Sequence, residues 1–489
     1  MNTKPMLTAV AAALFSLGAC VSAQAADLST CTTCHSNITK AHAGAAHKDI
    51  ACTSCHSGVD QHLKKVTDRP TVNMDPATCG GCHQAQYKSL YKDDGRAARQ
   101  SKKAPNGPAP DPFFDRALGA HGFTVEHDLP RAHVWMAIDQ FIVDRAFGGR
   151  FEPKDGWLYA TLDGGKSYKV WDVLKDNYPD NNVQKAHKPG TAAAANAVCW
   201  SCKSTDVMMD WAYLGDKVEG AQFSRSSNPV DVVRKVNHAI NCNFCHDPHT
   251  AQPRVVRDAL IDAVTRDDKS VPNVYRDVAA HPTKLDVKDV GVRGFTRKVA
   301  YMDKADSNLM CAQCHVEYIC NPGFDAKTGA KIGFDSRLTN HFPFVNADEI
   351  EQYYDKIGFR DFKHNLTGAA LVKMQHPDTE TYFGSTHDKA GATCATCHMP
   401  KVKDEKTGKM YTVHWATSPR HYMQETCLTC HKDKTAEQMN KAIDAMKGHY
   451  DGKVREAEAR MNDMFNAFEL AIASGVDEKT LDEARKLHS

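Results

Sequence analysis

The sequence Cys199-Trp200-Ser201-Cys202-Lys203 has the spacing of a covalent haem attachment site. In such a site two cysteines bond the porphyrin and the next residue ligates the iron. Seven other segments of the chain have the form C-x-x-C-H, and this segment alone ends in lysine. A lysine amine must lose its proton before it can bind a metal, so it needs a shielded site. The lysine therefore predicts one haem with a function different from that of the other seven.

The eight motifs use sixteen of the 18 cysteines and predict eight haems c. The predicted haem-bonding cysteines are Cys31, Cys34, Cys52, Cys55, Cys79, Cys82, Cys199, Cys202, Cys242, Cys245, Cys311, Cys314, Cys394, Cys397, Cys427 and Cys430. The predicted proximal iron ligands are His35, His56, His83, Lys203, His246, His315, His398 and His431. Zinc or redox C-x-x-C units are the alternative, but zinc sites do not require a histidine directly after each second cysteine. The two remaining cysteines, Cys20 and Cys320, leave no disulfide framework.

The composition restricts both the fold class and the partners. With eight porphyrins in 489 residues, the cofactors must form much of the core. We therefore expect a mainly α multihaem cytochrome c, with helices and loops around a stack of haems and little β structure. A formal net charge of +1 gives no basic surface of the kind that binds nucleic acid.

The first 25 residues predict an export signal. Lys4 precedes an apolar run, and Ala23-Gln24-Ala25 forms a small-residue cleavage site. Lipoprotein processing at Cys20 is the alternative. No later apolar run approaches the ~20 residues that a membrane span needs. We expect a periplasmic protein that is not an integral membrane protein.

The mature chain is expected to contain three regions. Residues 26–125 form an N-terminal domain with three haem sites, residues 126–435 a catalytic domain with five, and residues 436–489 a helical segment. The helical segment shows apolar residues at helical spacing, which indicates amphipathic helices that face a partner or their own chain. The histidines that could serve as distal ligands in the first domain are His42, His47, His62, His121 and His127, of which we take His47, His62 and His121.

From about residue 130 onward the motifs resemble a known family. They are Pro130-Arg131-Ala132-His133, Arg145, Cys199 to Lys203, Cys311 to Tyr318, Lys373-Met374-Gln375-His376-Pro377, His387 and Cys397 to Val402. In order and spacing they resemble the pentahaem cytochrome c nitrite reductases, whose active haem uses C-x-x-C-K. The three additional haem sites make the whole chain similar to the octahaem nitrite reductases. The segment between Arg145 and Cys199 is longer than in the pentahaem pattern.

The resemblance implies a six-electron reduction of nitrite to ammonium at the haem of Lys203. Arg145, Tyr318 and His376 would line the open face of that haem and donate charge, hydrogen bonds and protons. Each also has a simpler interpretation: Arg145 pairs with a propionate, Tyr318 packs, and His376 ligates an iron. An enzyme that oxidises hydroxylamine or hydrazine, or a non-enzymatic electron carrier, remains the alternative function.

Further assignments follow from the same resemblance. The distal ligands would be His133 for the Cys311 site, His414 for the Cys242 site and His387 for the Cys427 site. A calcium ion would be bound by Glu317, Gln375 and the main-chain oxygens of Tyr318 and Lys373. Tyr318 and Cys320 would form a thioether crosslink. The implied partners are an electron-donor cytochrome or membrane quinol dehydrogenase and a second copy of the chain.

The end of the sequence carries one more expectation. In the resembling enzymes a longer C-terminal helix is followed by a histidine that ligates the Cys394 haem. His449 and His488 lie beyond the last motif without the expected surroundings. We therefore expect a C-terminally incomplete version of the protein.

Overall fold

The computed structural model describes residues 28–92, 133–137, 151–154, 169–176, 196–266, 284–292, 294–320 and 322–489. The chain divides into two compact units. Unit 1 contains Met1–Met74 and His249–Ala251, and unit 2 contains Asp75–Pro248 and Gln252–Ser489. The predicted export signal and the predicted domain boundary near residue 125 lie outside the described residues, so both stay predictions.

Helices supply most of the regular structure in the described part of the chain. They are α1 (Leu28–Ala43), α2 (Val59–Lys64), α3 (Pro76–Gly80), α4 (Gln84–Leu90), α5 (Ala197–Trp200), α6 (Thr205–Met209), α7 (Pro229–Lys235), α8 (Cys242–Cys245), α9 (Asp258–Thr265), α10 (Ser307–Ala312), α11 (Ile350–Ile357), α12 (Asp378–Tyr382), α13 (Thr386–Lys389), α14 (Cys394–His398), α15 (Cys427–Cys430), α16 (Ala436–Ala473) and α17 (Glu478–His488). Short 3-10 helices lie at Cys52–Ser54, His133–Trp135, Val170–Val173, Tyr213–Gly215, Ala347–Glu349 and Pro419–Tyr422. None of the helices in the described ranges is both long and apolar enough to cross a bilayer.

The β structure is limited to short antiparallel pairs and one longer hairpin. The strands are β1 (His56–Ser57), β2 (Thr71–Val72), β3 (Phe151–Pro153), β4 (Leu174–Asp176), β5 (Arg254–Val255), β6 (Leu285–Val292), β7 (Phe295–Met302), β8 (Phe324–Asp325), β9 (Phe359–Arg360), β10 (Phe362–Lys363), β11 (Ala370–Leu371), β12 (Lys401–Lys403) and β13 (Met410–Thr412). The hairpin β6–β7 pairs Leu285 with Met302 and Val292 with Phe295, and β5 extends it to three strands. The predicted mainly α fold class is confirmed, whereas the hairpin was not predicted.

Six of the eight haem motifs start in short helices of four to six residues, whereas the Cys31 motif lies within α1 and the Cys52 motif starts with a 3-10 helix. In four of them the N–H of the motif histidine donates to the carbonyl of the first cysteine, four residues earlier, at 2.9 Å. These four motifs begin at Cys79, Cys242, Cys311 and Cys427. Because residues three and four apart lie on the same face of a helix, the turn directs both thiols and the imidazole to one side.

Polar residues before the motifs start these turns. Asn241 directly precedes the first cysteine of its motif, and its side chain accepts from the N–H of Asn243 at 3.1 Å. Thr393 forms a reciprocal capping box with Thr396 at the start of α14. Such caps satisfy backbone N–H groups that have no partner within the helix, which is worth about 1 kcal/mol each. Short turns that would be marginal alone are thereby fixed at the attachment sites.

Unit 2 contains the apolar core around the lysine motif. One cluster is formed by Val198, Trp200, Trp211 and their neighbours, and a second by Leu260, Phe342 and the side chains around them. Trp200, Trp211 and Phe342 are fully buried. The lysine motif is therefore part of a packed interior rather than a surface loop.

The last two helices differ in how they pack. In the middle of α16, Met446, Tyr450 and Val454 are 57%, 69% and 54% exposed. Near its end, Phe465 is buried against His364, with ring centres 5.0 Å apart. The shorter helix α17 docks through Arg485, whose Nε donates to the carbonyl of Thr367 at 2.7 Å.

The buried histidine His341 makes the stability of unit 2 depend on pH in the acid range. Burial lowers the pKa of His341 to about 3, and its Nε2 lies 2.5 Å from the Tyr353 hydroxyl. Between about pH 6.5 and 3 the unfolded chain binds a proton that the folded chain does not, so stability falls as the pH falls. We expect His341→Gln to flatten this loss by up to about 1.4 kcal/mol per pH unit.

Urea unfolding at pH 7, 5 and 4 measures the effect. His449→Gln, on the exposed part of α16, serves as the control and should leave the pH dependence unchanged. Equal acid sensitivity of wild type and His341→Gln would contradict the assignment.

Candidate functional site

Lys203 ends the turn that carries the lysine motif. Helix α5 is capped by Asn196, whose Oδ1 accepts from the N–H of Val198 at 2.9 Å. The N–H of Lys203 donates to the carbonyl of Trp200 at 3.0 Å, three residues back rather than the four seen in the histidine motifs. Ser204 then caps α6. The lysine is thus held between two capped helices in a buried segment.

Tyr318 and His376 lie together beside this motif. Their ring centres are 5.4 Å apart. Burial, and then the nearby charge of Lys203, lower the pKa of His376 to about 4, and its Nδ1 is buried without a hydrogen-bonding partner among the described residues. The imidazole is therefore neutral near pH 7 and has a polar atom available for a ligand.

Burial also affects the pKa of the Tyr318 hydroxyl. It raises the pKa of Tyr318 well above its usual value, and the thiols of Cys320 and Cys199 raise it further. Tyr318 therefore keeps its proton and can donate a hydrogen bond. The structure brings two of the three predicted catalytic side chains together, while Arg145 lies outside the described residues.

Arg257 forms a charged wall next to the motif. The side chain is fully buried, and its Nη1 donates to Asp258 Oδ1 at 2.6 Å. The guanidinium stacks over the Phe342 ring at 5.0 Å and lies beside the Cys202 thiol. Its Nε and Nη2 find no oxygen acceptor among the described residues. These two buried donors suit an anionic group such as a haem propionate.

Asp258 fixes Arg257 in place. The Oδ2 of Asp258 accepts from the indole N–H of Trp211 at 2.8 Å and from Asn340 at 3.3 Å. A buried ion pair with additional hydrogen bonds holds its geometry, because removal of either partner would leave an unpaired buried charge.

Buried carboxylates cluster around Glu317, the residue before Tyr318. Glu317 is fully buried and accepts from the Tyr354 hydroxyl at 2.6 Å and the Gln375 N–H at 2.5 Å. Glu380 accepts from the Glu317 N–H at 3.0 Å, and Asp361 accepts from the Lys373 N–H at 2.7 Å. These contacts lie around the predicted calcium site.

The electrostatics of this cluster favour a cation. Burial, with a smaller contribution from neighbouring carboxylates, raises the pKa of Glu317 to about 7 and that of Glu380 to about 8, and burial raises the pKa of Asp361 to about 6. Among the described residues no three acidic or imidazole side chains converge closely enough to chelate a metal by themselves. A calcium ion would therefore need the main-chain oxygens that the sequence analysis assigned to it, and oxygen donors of this kind suit Ca²⁺.

Cys320 is the buried thiol next to Tyr318. Its sulfur contacts Gln375 Nε2 at 3.2 Å and Lys373 Nζ at 4.0 Å, and it is hydrogen-bonded to the thiol of Cys199. The carbonyl of Cys320 accepts from Asn196 Nδ2 at 2.7 Å. Cys320 therefore lies between the lysine motif and the residues of the predicted calcium site.

Several imidazole pairs have the spacing that two ligands of one metal ion would have. Metal–imidazole bonds of about 2 Å place two rings on opposite sides of one metal with their centres about 6 Å apart. Four motif histidines have another imidazole at that spacing. The pairs are His35 with His62 at 6.1 Å, His56 with His249 at 6.2 Å, His133 with His315 at 6.3 Å, and His387 with His431 at 6.3 Å. His315 has a second ring near this distance, since His376 lies at 6.1 Å.

The second nitrogen of several imidazoles is fixed by the protein. The Nδ1 atoms of His62, His398 and His414 lie 2.8–3.0 Å from main-chain carbonyl oxygens. The Nδ1 of His315 lies 2.9 Å from Asp378 Oδ2. Such bonds select the tautomer in which Nε2 carries the free lone pair, which is the usual arrangement behind a metal-bound histidine.

Other predicted ligands are placed less completely. His121 lies outside the described residues, and His47 follows α1 in unit 1. His414 lies near His83, which lowers its pKa together with the larger effect of burial. The assignment of His414 to the Cys242 site stays a prediction.

A profile of the cytochrome c552 family matches residues 156–489, more than half of the chain. The chain belongs to the cytochrome c552 family. The matched region includes the lysine motif and the four motifs that follow it.

Individual relatives agree with this. The chain is 30% identical over 336 residues to cytochrome c-552 of Haemophilus influenzae, covering 65% of this chain and 52% of that protein. It is 28% identical over 294 residues to the cytochrome c nitrite reductase subunit NrfA of Nitratidesulfovibrio vulgaris, covering 57% and 47%. The chain thus spans about half the length of these curated relatives.

A solved structure supports the fold. The catalytic subunit of cytochrome c nitrite reductase from Desulfovibrio desulfuricans, described for its two calcium sites, matches with a TM-score of 0.51 and 23% identity. The match covers 82% of this chain and 73% of that subunit. This likeness concerns the fold.

Sequence reasoning missed several residues of the site. Arg257, Asp361 and Glu380 belong to no motif, and only the fold brings them to the lysine motif and to Glu317. His249 is likewise absent from the predicted ligands. Its position three residues after a motif histidine was the one available signal.

The pair of Arg257 and Asp258 predicts a large effect on stability. We expect Arg257→Met to lower the free energy of unfolding by about 3–5 kcal/mol, because Asp258 stays buried without its partner. The double variant R257M/D258N should recover part of the loss. Urea unfolding of the holoprotein measures both.

Arg337 offers a matched control. Its side chain is 68% exposed and pairs with Asp216 at 2.7 Å. Arg337→Met should cost at most about 1 kcal/mol. Equal losses for the two single variants would show that burial does not govern these ion pairs.

Proposed function

We propose that this protein is an exported octahaem nitrite reductase that converts nitrite to ammonium at the haem attached to Cys199 and Cys202. The observation that carries the proposal is the meeting of Tyr318 and His376, 5.4 Å apart, beside the lysine motif. The relationship to a nitrite reductase subunit supports it.

The lysine motif explains why this site would be the reactive one. The amine of Lys203, once deprotonated, would ligate the haem iron. When bound, the haem would supply one-electron transfers and an open coordination position for the nitrogen of nitrite. The seven histidine motifs would hold the haems that deliver electrons.

The surrounding side chains would handle charge and protons. The phenol of Tyr318, kept protonated by burial, donates a hydrogen bond to a nitrite oxygen. The neutral imidazole of His376 becomes a better base when an anion enters, so it can take a proton from solvent and pass it on as N–O bonds break. Arg145 would add fixed positive charge.

The remaining assignments complete the proposed enzyme. His133 and His387 would be distal ligands, as would His47, His62, His121 and His414. Electrons would come from a cytochrome or a membrane quinol dehydrogenase in the periplasm. The exposed apolar side chains of α16 support a contact with a second copy of the chain.

A thioether between Tyr318 and Cys320 is also part of the proposal. The new bond would replace the S–H and one ring C–H, and two hydrogens would pass to an external two-electron oxidant. Mass spectrometry of the peptide that contains Tyr318-Ile319-Cys320 should show the loss of two hydrogens, and a peptide of unmodified mass would reject the bond.

Turnover with nitrite tests the reaction. We expect the reduced protein to form ammonium, and His376→Ala to lower kcat about 100-fold or more with unchanged haem content, because a proton donor is lost. His421→Ala, at an exposed histidine whose ring is tilted by 44° against that of Trp415, is the matched control and should keep kcat within about two-fold.

The spin state in His376→Ala separates two roles for this residue. A proton donor leaves the number of low-spin haems unchanged, whereas an additional high-spin haem would reassign His376 as an axial ligand. Oxidation of hydroxylamine or hydrazine without ammonium formation from nitrite would instead favour the alternative function.

Calcium removal tests the carboxylate cluster. At a Ca²⁺ concentration of 100 Kd, binding should stabilise the protein by about 2.7 kcal/mol, so a chelator should lower Tm. Glu317→Gln should abolish the dependence on Ca²⁺, while Glu351→Gln, at an exposed position on α11, should retain it. A Tm that does not respond to Ca²⁺ would exclude the site.

A further inference from the structure

Unit 1 brings two haem motifs close together. His35 and His56 are near enough for His35 to help lower the pKa of His56, after the larger effect of burial. His35 already has a well-fixed imidazole opposite it, because the His62 ring lies at 6.1 Å and its Nδ1 is 3.0 Å from the carbonyl oxygen of Asp68. The motif of His56 therefore raises the question of which side chain faces it.

The ring that faces His56 belongs to His249. The two ring centres are 6.2 Å apart and the ring planes differ by only 14°. His249 is distant from His56 along the chain, yet His249–Ala251 groups with unit 1. His56, the other member of the imidazole pair, lies in strand β1, where its backbone pairs with Val72 of β2.

A tight loop presents His249. The N–H of Asp247 donates to the carbonyl of Gln252 at 2.9 Å, and His246 bridges to Pro253 in antiparallel fashion. The residues between them form the tip, and Ala251 has a φ of 61°, in the left-handed region that costs a non-glycine residue roughly 1–2 kcal/mol. The chain accepts this strain in the loop that carries the imidazole.

Two other imidazole pairs of the same molecule can be compared with the pair of His56 and His249. His133 with His315 and His387 with His431 are pairs that the family resemblance assigned as iron ligands, and both lie at 6.3 Å. The His56–His249 distance differs from theirs by 0.1 Å, since it is 6.2 Å. Two rings in direct face-to-face contact would lie closer.

We propose that His249 is the second axial ligand of the haem attached to Cys52 and Cys55, with His56 on the opposite side. A neutral imidazole would donate the lone pair of one ring nitrogen to the iron, with no redox change. The inference rests on the proposed function only in that the motif binds haem, and it does not depend on nitrite chemistry. His47, which the sequence suggested for this region, is then not the ligand of this haem.

Spin state provides the test. In the holoprotein, His249→Gly should convert one haem from low spin to high spin, counted by electron paramagnetic resonance and magnetic circular dichroism. Added imidazole should return that haem to low spin by filling the vacated position. An unchanged number of high-spin haems in His249→Gly would overturn the proposal.

A second variant keeps the proposal testable if His249→Gly fails to incorporate haem. His249→Met should keep the haem low-spin but raise its reduction potential, because thioether ligation raises the potential of c-type haems. Potentiometric titration measures the shift, and potentials identical to those of wild type would overturn the proposal.

Two controls separate ligation from loop damage. Thr250→Ala alters the same loop tip and should leave every haem low-spin that is low-spin in wild type. His421→Ala, at an exposed histidine that the proposal gives no ligand role, should do the same. Conversion of one haem by His47→Ala and not by His249→Gly would overturn the proposal. A wild-type protein that fails to reduce nitrite but shows the expected spin change refutes the function and leaves this ligand assignment standing.

Discussion

The structure depends on one hydrogen bond, from the N–H of a motif histidine to the carbonyl of the first cysteine four residues earlier. Where this bond is present at 2.9 Å, two thiols and an imidazole point to the same side of one helical turn. Four or five residues cannot hold such a turn alone. Asn, Asp and Thr caps before the motifs supply part of the missing stability, and bound porphyrin would supply the rest. At Lys203 the turn closes after three residues, so the different ligand comes with a different backbone.

Burial then determines the chemistry of the side chains around the lysine motif. It keeps His376 neutral and Tyr318 protonated, and it makes Arg257 rely on Asp258. The same effect makes the carboxylates of Glu317 and Glu380 difficult to ionise without a cation. Buried donors thus lie beside the lysine motif, and buried carboxylates lie around Glu317. Under the proposed function, the donors would face an anion and the carboxylates a cation.

The sequence predicts the features that depend on short motifs and on their order along the chain. The mainly helical fold and the approach of Tyr318 to His376 could be predicted, because the motif spacing indicates the first and the family resemblance implies the second. The hairpin β6–β7, Arg257, Asp361 and Glu380 could not, because their roles arise from contacts between distant segments. His249 shows the limit most clearly. A histidine in a loop is usually a surface residue, and only the fold places it 6.2 Å from His56.

Contacts between thiols of different motifs define which attachment sites are neighbours in unit 2. The thiol of Cys79 meets that of Cys242, Cys202 meets Cys314, and Cys311 meets Cys394. The site of Cys311 and Cys314 therefore has neighbours on two sides, the lysine motif and the site of Cys394. Under the proposed function, the order in which electrons pass between the haems would differ from the order of the motifs along the chain. A carrier that delivers electrons to the site of Cys394 would reach the lysine site through one intermediate site, that of Cys311 and Cys314. Along the sequence, two motifs lie between the lysine motif and Cys394, at Cys242 and Cys311.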